Sequence, residues 1–500
     1  MRTLLISMLF TFTLACKKDC LEKGDCQPSA YASSYVEEQN TPAATGITYY
    51  VDAENGKKKN GGKSEETAFK EIAQLEGISF QPGDQILFKR DQYHFGDLKI
   101  ESSGTESAPI YIADYGSGDL PIIKSTRGND GIALFLLEAN YVVIQNLNIQ
   151  GGGHAILMDG SNNVTIAGCR VGENSEAGIR ATGKNSETSG SDKGIIKNCL
   201  IYSGLSGSTG DLQGTDGIQL MDGASNWHIH HNEFKSWAHS ALSIKPIYSS
   251  LESNNNIVEH NLFECGDIDY MRALDITGPE NRASNNVVRY NIIRNQTVTS
   301  HVHGNDNTIA YNLFLSLKTS AASSQPWAID FHVFIGNSGG VDRNKYVCKN
   351  NRLFNNLFYN YDAGVGVRLL NSKDGTTNKV TDNEIINNIF YNNGTCLEID
   401  AEPTNTTVSN NLFFNSSGSV NFKVNSTSYS ISDFTALSGI NGFIIENNIE
   451  GNPLFQNISS ENFRLEVGSP AIDAGQNVGE IKDFAGNPIT GNPDIGAFEL

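Results

Sequence analysis

The chain has 500 residues, of which 38% are apolar and 18% charged, and its formal net charge is −20 at pH 7. This excess of acidic side chains excludes a protein that binds nucleic acid through a basic face. It also disfavours an acidic polymer as ligand unless a cationic patch exists locally. Forty-nine glycines together with few charges are typical of a turn-rich, all-β chain.

Residues 1–16 predict an export signal, because Arg2 is followed by an apolar run and by small residues before Cys16. The ending Thr13-Leu14-Ala15-Cys16 resembles a bacterial lipoprotein signal, in which the cysteine is lipidated and becomes the new N-terminus. Thr13 stands where that pattern usually has leucine, and a plain cleaved secretory signal is the alternative. Residues 17–46 are polar and aperiodic, which is typical of a flexible tether. We therefore expect an outer-membrane or cell-surface lipoprotein that contacts the membrane only through its lipid, or else a periplasmic or secreted protein.

The folded part is predicted to begin with a strand at residues 49–52. Phe69, Ile72 and Leu75 recur at helical spacing, which predicts a short amphipathic helix over residues 67–75. We expect this helix to cap the N-terminal end of the fold, because an uncapped end would expose strand edges. Further strands are predicted at residues 85–89 and 110–113.

An Asn-apolar-Phe turn then recurs between residues 216 and 413, and most of its copies lie 21 to 32 residues apart. That spacing is the period of a solenoid, in which each coil buries its apolar face on the next. Asn adopts left-handed backbone angles and bonds to nearby main chain, so we expect Asn232, Asn261 and Asn291 to stack as a ladder at one corner. Cys169 and Cys199 occupy matching turns and are expected to stack as small buried residues.

The chain resembles right-handed parallel β-helix proteins over residues 47–465. The fold class implied is all-β, a single-stranded right-handed parallel β-helix with a short N-terminal capping helix. The segments Gly468–Gly475 and Asp494–Leu500 resemble the closing segment of many bacterial extracellular β-helix proteins, so residues 466–500 are expected to pack on the solenoid. Loops at 183–193, 203–215, 315–326 and 336–346 are expected to wall a cleft. We expect a monomer.

Because side chains alternate between the two faces of a strand, the inward residues also fix the outward ones. We align one strand of each coil by its two inward apolar residues. In one coil of the series, Ser300 and Val302 occupy these two inward positions. One outward column then contains Gln219, Ser243, Asp275, His301, Asp330, Arg368 and Glu398. A second outward column contains Met221, Lys245, Thr277, His303, His332, Leu370 and Asp400.

These columns bring three of the ten histidines into one titratable patch with acids and cations. The alternative interpretation is an ordinary solvated surface with paired charges on adjacent strands. Asp216, His239 and Arg272 precede their strands and are expected at the rim of the patch. Trp237, Trp327 and Tyr270 are candidates for stacking on sugar rings. The patch comprises Lys245, Asp275, His301, His303, Asp330, His332 and Arg368.

Such a patch suits β-elimination on an anionic, uronic-acid polysaccharide, in which a cation neutralises the sugar carboxylate and a base removes the neighbouring proton. Lys245 and His303 are the candidate bases, with His301 and His332 beside them, and Arg368 is a candidate carboxylate clamp. Asp275 and Asp330 are candidate calcium ligands or partners that orient the histidines. As a base, Lys245 would need the cations of the patch to lower its pKa.

The segment Ala241–Lys245 resembles the Ser-x-Lys stretch of β-helix alginate and chondroitin lyases, whose lysine is the base. Those lyases carry Arg-His-Gly on the next coil, where this chain has Leu274-Asp275-Ile276-Thr277. They also carry carboxylates just before Ser-x-Lys, whereas residues 237–244 contain none. The resemblance therefore covers one strand.

Three alternatives stay open. A β-helix glycoside hydrolase would use Asp275 and Asp330 as its paired carboxylates, at a separation suited to inversion. A noncatalytic glycan-binding surface protein is a second alternative, for which exposed aromatic residues are expected rather than a titratable cluster. A histidine–aspartate metal site for other chemistry is the third.

Overall fold

The structure is a computed structural model. It describes residues 36–38, 43–183, 190–202, 215–235, 237, 239–264, 272–280, 282–317, 327–333, 337–338, 341–342, 346–371, 380–400 and 403–500. The predicted signal, Cys16 and most of the tether lie outside these residues, as does Tyr270. None of the helices in the described part of the chain is long and apolar enough to cross a membrane.

Short strands stack into three long sheets, and from Gln85 to Val424 each coil of the chain contributes one strand to each sheet in turn. Sheet 1 contains Thr48–Val51, Gln85–Lys89, Ile110–Tyr115, Val142–Gln145, Thr165–Ala167, Ile195–Lys197, His228–His230, Ile257–Glu259, Val287–Arg289, Thr308–Ala310, Arg352–Phe354, Glu384–Ile386, Thr407–Ser409 and Ile444–Glu446. Sheet 2 contains Tyr93–Phe95, Ile122–Lys124, Asn148–Gln150, Arg170–Gly172, Leu200–Tyr202, Glu233–Lys235, Leu262–Glu264, Ile292–Arg294, Leu313–Leu315, Leu357–Tyr359, Ile389–Tyr391, Leu412–Phe414 and Ile449–Glu450.

Sheet 3 has the longest strands, most of them six residues. It contains Leu98–Ile100, Ile132–Leu137, His154–Asp159, Ala177–Thr182, Asp216–Met221, Ser240–Lys245, Arg272–Thr277, Ser300–His303, Trp327–His332, Val365–Leu370, Thr395–Asp400, Phe422–Val424 and Thr427–Tyr429. The strands of the three sheets pair in parallel, except for the last pair of sheet 3, which is antiparallel. The predicted parallel β-helix is therefore confirmed.

Smaller elements complete the described structure. Two antiparallel pairs join Asn337–Ser338 to Val341–Asp342 and Phe455–Asn457 to Asn462–Leu465, and Cys348–Lys349 pairs in parallel with Val380–Thr381. One short α-helix spans Ile431–Thr435. The 3-10 helices are Glu65–Thr67, Ile72–Leu75, Gly128–Asp130, Ile440–Gly442 and Ile458–Ser460.

The predicted asparagine ladder is confirmed at the corner between sheets 1 and 2. Each buried amide donates from Nδ2 to Oδ1 of the next at 3.0 Å, through Asn232, Asn261, Asn291, Asn312, Asn356, Asn388, Asn411 and Asn448. The left-handed backbone was predicted at the ladder residues, but it occurs at the residue before each of them, for example at His260 with φ 54°. Cys199 precedes Asn232 in the row and donates its backbone N–H to Asn232 Oδ1. Cys169 and Cys199 are both buried, and the residues that follow them, Arg170 and Leu200, pair across the coils, so the predicted stacking of the cysteines is also confirmed.

A second asparagine ladder lies at the other end of the sheet 1 strands and was not predicted. It runs through Asn256, Asn286, Asn307, Asn351 and Asn383, with Nδ2–Oδ1 distances of 2.9 to 3.1 Å. Here too the preceding residue has a positive φ, as at Asn285 with 55°. The sheet 1 strands in these coils are therefore held at both ends by buried amides.

The N-terminal cap differs from the prediction. Residues 67–75 do not form one amphipathic helix, because Phe69 pairs as a β-bridge with Val51 and interrupts it. Two 3-10 helices, Glu65–Thr67 and Ile72–Leu75, take its place. Phe69, Ile72 and Leu75 are nevertheless buried against the first coils, so the cap covers the end of the core as expected.

At the other end, the last strand paired in parallel is Ile449–Glu450, whereas the sequence placed the end of the solenoid at residue 465. The chain then returns along the outer face of sheet 2, where Ile495 and Phe498 pack against residues such as Leu357 and Ile389. Asn355 donates its Nδ2 to the carbonyls of Asp494 and Gly496 at 3.0 and 2.8 Å.

Histidines line the corner between sheets 1 and 2. The rings of His231 and His260 stack with their centroids 5.2 Å apart, and Tyr290 continues the row at 5.1 Å. Burial, reinforced by neighbouring His231, lowers the pKa of His260 to about 4. Burial, with His228 and His231 nearby, likewise lowers the pKa of His230 to about 4.

Replacing one ladder amide should destabilise the whole solenoid. Asn291 is fully buried and bonds to the carbonyls of Val258 and Arg289 as well as to both ladder neighbours. Asn291→Ala leaves several of these groups unpaired, so we expect the free energy of unfolding to fall by at least about 2 kcal/mol in denaturant titrations. Asn129→Ala, at an exposed site, is the matched control; equal effects in both variants would contradict the role of the ladder.

Acid should destabilise the fold through the histidine row. A histidine whose pKa is lowered by folding takes up its proton only in the unfolded chain between pH 6.5 and about 4, so stability falls as the pH drops through this window. His260→Tyr keeps a ring on Tyr290 and removes that proton. We expect its stability to depend on pH less steeply than the wild type, by about one proton in this window. Parallel curves of unfolding free energy against pH would show that His260 does not contribute.

Candidate active site on sheet 3

The predicted alignment of the sheet 3 strands is confirmed residue by residue. Gln219 lies opposite Ser243, which lies opposite Asp275, and His301, Asp330, Arg368 and Glu398 follow in register. The second column is confirmed where Met221 pairs with Lys245, Thr277 with His303, and His332 with Leu370. The inward residues between them, such as Leu274 and Ile276, are fully buried. Side chains far apart in sequence therefore meet on one outer face.

Asp216 is the centre of a polar group at the N-terminal side of this face. It is 2% exposed and accepts hydrogen bonds from Ser243 Oγ and Gln219 Nε2, both at 2.7 Å, and lies 2.7 Å from His239 Nδ1. Burial alone would raise the pKa of Asp216, but the contacts with His239, Lys245 and Gln219 hold it below its usual value. Asp216 and His239, predicted at the rim, thus belong to the same polar network as the columns.

Asp275 holds two cations. Its Oδ2 lies 2.6 Å from Lys245 Nζ and 3.0 Å from Arg272 Nη1, while the Thr277 hydroxyl donates to its Oδ1. Arg272, predicted at the rim, is itself buried and donates its Nε to the carbonyl of Thr299 at 2.8 Å. Burial would raise the pKa of Asp275, but Lys245 and Arg272 hold it well below its usual value.

The charge of Lys245 differs from what the sequence suggested. Burial would lower the pKa of Lys245, but Asp275 and Asp216 hold it above its usual value. The condition for a basic Lys245, that neighbouring cations lower its pKa, is therefore not met, because carboxylates rather than cations are its nearest charged partners. Lys245 stays protonated at neutral pH and lacks the lone pair that a base needs.

Asp330 organises the three histidines. His301 Nδ1 lies 2.6 Å from Asp330 Oδ1, His332 Nδ1 lies 3.6 Å from Oδ2, and His303 Nε2 lies 3.9 Å from Oδ1. Asp330 is 1% exposed, and although burial would raise its pKa, His301 and His332 hold it far below the usual value. The carboxylate is therefore ionised and accepts a hydrogen bond from His301.

The neutral state and tautomer of His303 follow from its surroundings. Burial and the nearby His301 hold the pKa of His303 well below its usual value. The single hydroxyl proton of Thr277 goes to Asp275, which can only accept, so the Thr277 oxygen 3.2 Å from His303 Nδ1 accepts from that nitrogen. The Nε2 of His303 then carries the lone pair, on the side of Asp330.

Arg368 lies over the Trp327 ring, with its guanidinium carbon 4.1 Å from the ring centroid. Trp327 in turn donates its Nε1 to Glu398 at 2.7 Å, which fixes the indole. Trp327 and Glu398 also line a cleft of about 570 Å³, together with Thr299, Asp362, Thr395 and Lys423. Trp327 thus lines a cavity and carries Arg368 on its ring, and its stacking on a sugar stays a prediction.

The prediction that Trp237 stacks on a sugar ring is corrected by the structure. It is 2% exposed and packs edge-on against Phe234 and Phe263 in the core, with its Nε1 donating to the carbonyl of Arg272. It cannot stack on a sugar, because both faces of its ring are covered by the protein. Its remaining role is to support the backbone at Arg272.

The groups around Asp275 and the groups around Asp330 suit different metal ions. Calcium takes six to eight oxygen ligands, whereas Asp275 is taken up by two cations and a hydroxyl, and Asp330 is surrounded by imidazoles. The contacts therefore fit the orienting role foreseen for these carboxylates better than a calcium site. His301, His303 and Asp330, in contrast, each offer one ligand atom, and these atoms lie within 4.8 Å of one another.

Sequence reasoning assigned no role to Thr277, Ser243, Gln219 or Glu398, although it placed all four in the outward columns. Their roles depend on side-chain contacts, since Thr277 links Asp275 to His303 and Glu398 fixes Trp327. The only available signal was their position beside charged residues in the same column.

Comparison with known proteins supports the fold. No family model matches the chain. A lacto-N-biosidase from Bifidobacterium longum subsp. longum is 29% identical over 153 residues of alignment, which cover 24% of this chain and 9% of that protein. The chain thus corresponds to less than a tenth of the length of this curated relative.

Two solved structures share the architecture. A GH136 lacto-N-biosidase from Eubacterium ramulus has a TM-score of 0.50 at 14% identity, covering 81% of this chain and 67% of that chain. A PL6 family polysaccharide lyase from Pseudopedobacter saltans has a TM-score of 0.50 at 15% identity, covering 85% of this chain and 98% of that chain. At these identities the similarity establishes the parallel β-helix fold.

Removing the lysine of the buried ion pair should lower stability. Lys245→Met leaves Asp275 with Arg272 as its one remaining cation among the contacts described, so we expect the free energy of unfolding to fall by roughly 2 kcal/mol in denaturant titrations. Lys58→Met is the matched control, because Lys58 and its partner Glu71 are both exposed, so it should change stability by under about 1 kcal/mol. Equal losses in the two variants would contradict the buried pair.

Proposed function

We propose that the protein cleaves a uronic-acid polysaccharide by β-elimination on the outer face of sheet 3. The observation that carries the proposal is the pair formed by His301 and the ionised Asp330, which stands in one column with Arg368. An imidazole held by a carboxylate next to a cation is the combination that proton abstraction beside a sugar carboxylate requires. The shared fold with a polysaccharide lyase supports this reading.

His301 is the base in this proposal. Its Nδ1 donates to Asp330, so in the neutral imidazole that acts as base the lone pair lies on Nε2, and its side chain is 15% exposed. His303 is 1% exposed and cannot reach a polymer, so its role is to support the ring of His301, on which it stacks with centroids 4.8 Å apart. His332 contacts the other oxygen of Asp330 and helps to fix the carboxylate.

Arg368 neutralises the sugar carboxylate. Its guanidinium lies on Trp327, and in the described structure its buried Nε makes no hydrogen bond. A guanidinium offers paired donors that match a carboxylate, and neutralising that group makes the proton on the adjacent carbon more acidic. Lys245, protonated beside Asp275, adds positive charge to the same face and replaces the basic role first considered for it.

Hydrolysis of a glycosidic bond is the second candidate, and the sequence similarity to a lacto-N-biosidase favours it. A glycoside hydrolase of the usual type needs one carboxyl group with a raised pKa as the acid and a second as base or nucleophile. Asp275 and Asp330 would supply the pair. Both have a pKa held below the usual value, Asp275 by Lys245 and Arg272 and Asp330 by His301 and His332, so neither is suited to donate the proton.

A substrate panel separates these reactions. Purified protein is incubated with alginate, pectate, glycosaminoglycans and neutral glycans, with and without a chelator. Elimination generates an unsaturated product that absorbs in the ultraviolet, and hydrolysis generates reducing ends without that absorption. An ultraviolet-absorbing product from one of the uronic-acid polymers is expected. Reducing ends alone would establish the hydrolase, and binding without any product would indicate a glycan-binding protein.

The base can be tested by substitution on the substrate found in this way. His301→Gln removes the lone pair, and we expect kcat to fall by about 10²–10⁴-fold with little change in melting temperature. His228→Gln, a partly exposed histidine on sheet 1, is the control and should keep wild-type turnover. Turnover within a few-fold of the wild type in His301→Gln would rule out His301 as the base.

A further inference from the structure

We propose that His301, His303 and Asp330 form a binding site for one divalent transition-metal ion of the zinc class. The proposal concerns binding and stands whether or not the polysaccharide reaction is the one described above. It rests on three features of the described residues: the convergence of the donor atoms, the tautomer of His303, and the chemical type of the donors.

The donor atoms converge from neighbouring coils. One ligand atom from each of the three residues lies within 4.8 Å of the others. A tetrahedral zinc ion holds its ligands at about 2.0–2.2 Å, which places them about 3.4 Å from one another. His303 Nε2 and Asp330 Oδ1 are 3.9 Å apart, so a shift of about half an ångström brings them to that geometry.

Two acceptors face each other at this point. His303 Nε2 carries the lone pair because Nδ1 donates to Thr277, and Asp330 Oδ1 is a carboxylate oxygen. A lone pair and an anionic oxygen repel each other, and a cation between them converts that repulsion into attraction. Thr277 and Asp275 thus fix the orientation of the imidazole from behind, as outer partners of metal-binding histidines commonly do.

The chemical type of the donors selects the metal. Imidazole nitrogen with a single carboxylate suits zinc, cobalt, nickel or copper, whereas calcium and magnesium prefer oxygen donors. His332 Nδ1, 3.6 Å from Asp330 Oδ2, is close enough to supply a further nitrogen. The nearby cations Lys245 and Arg272 are bound to Asp275 on the preceding coils, which leaves Asp330 to the histidines.

Metal binding moves the proton of His301 from one ring nitrogen to the other. His301 Nδ1 now donates its proton to Asp330, and as a neutral ligand through this nitrogen the imidazole takes the other tautomer, giving up the Nδ1 proton and taking up a proton on Nε2. If His301 is the base, as the proposed function requires, the bound metal prevents its action. Zinc would then inhibit the enzyme reversibly.

The test is a titration of the full-length protein, stripped of metal by a chelator, with Zn²⁺ and with Co²⁺. Calorimetry with Zn²⁺ is expected to show one equivalent bound, and Co²⁺ is expected to give the visible absorption of a nitrogen-ligated ion. Excess Ca²⁺ should displace neither. Anomalous scattering from a zinc-soaked crystal is expected to place the ion between His303 and Asp330.

Variants locate the site independently of turnover. His303→Gln and Asp330→Asn should each abolish the Co²⁺ band, and Thr277→Val, which removes only the outer partner, should weaken binding by about 10–100-fold. His228→Gln serves as the control, because His228 belongs to the other group of histidines, and it should bind as the wild type does. Circular dichroism of each variant confirms folding.

Three results would overturn the proposal. These are the absence of binding in the wild type at molar excess of Zn²⁺, displacement of the ion by Ca²⁺, or full binding by folded His303→Gln or folded Asp330→Asn. A metal that binds while no polysaccharide is cleaved would leave the site established and remove only the proposed reaction.

Discussion

Buried amides that bond from coil to coil keep this solenoid in register. In a parallel β-helix the backbone pairs with its neighbours along the stack but could slip by two residues without changing which side chains face inward. A row of asparagines at a fixed corner removes that freedom, because each amide must meet the next one and also satisfy nearby carbonyls. The columns on sheet 3, and with them the contacts of His301 and Asp330, depend on this register.

The outer face of sheet 3 shows how a sheet surface becomes a polar site. Asp216, Asp275 and Asp330 stand on different coils, and each is buried and ionised because neighbouring coils supply its partners. Asp216 contacts a histidine, a serine and an amide. Asp275 contacts two cations, and Asp330 contacts three histidines. Acids, cations and histidines thus meet along the face instead of forming separate patches of one charge.

Much of this arrangement could be predicted from the sequence, because alternation along strands and the repeat of the Asn turns are periodic signals. The columns from Gln219 to Glu398 follow from those two rules alone. The pKa of Lys245 did not follow, since it depends on which side chains lie within a few ångströms across coils. The predictions for Trp237 and for residues 67–75 were wrong for a similar reason. The Trp237 indole is buried in the core, and a single β-bridge at Phe69 outweighed the local helical spacing.

The asparagine row also makes the stacking of the coils independent of the length of the loops between them. Asn312 reaches Asn356 at the same 3.0 Å as Asn291 reaches Asn312, although 44 residues separate the first pair and 21 the second. The stack therefore accepts extra chain between two rungs without any change at the corner. Evolution, or an engineer grafting segments, can lengthen the connections beside sheet 3 and so alter what the groove admits, while the rungs that present the reactive groups stay where they are.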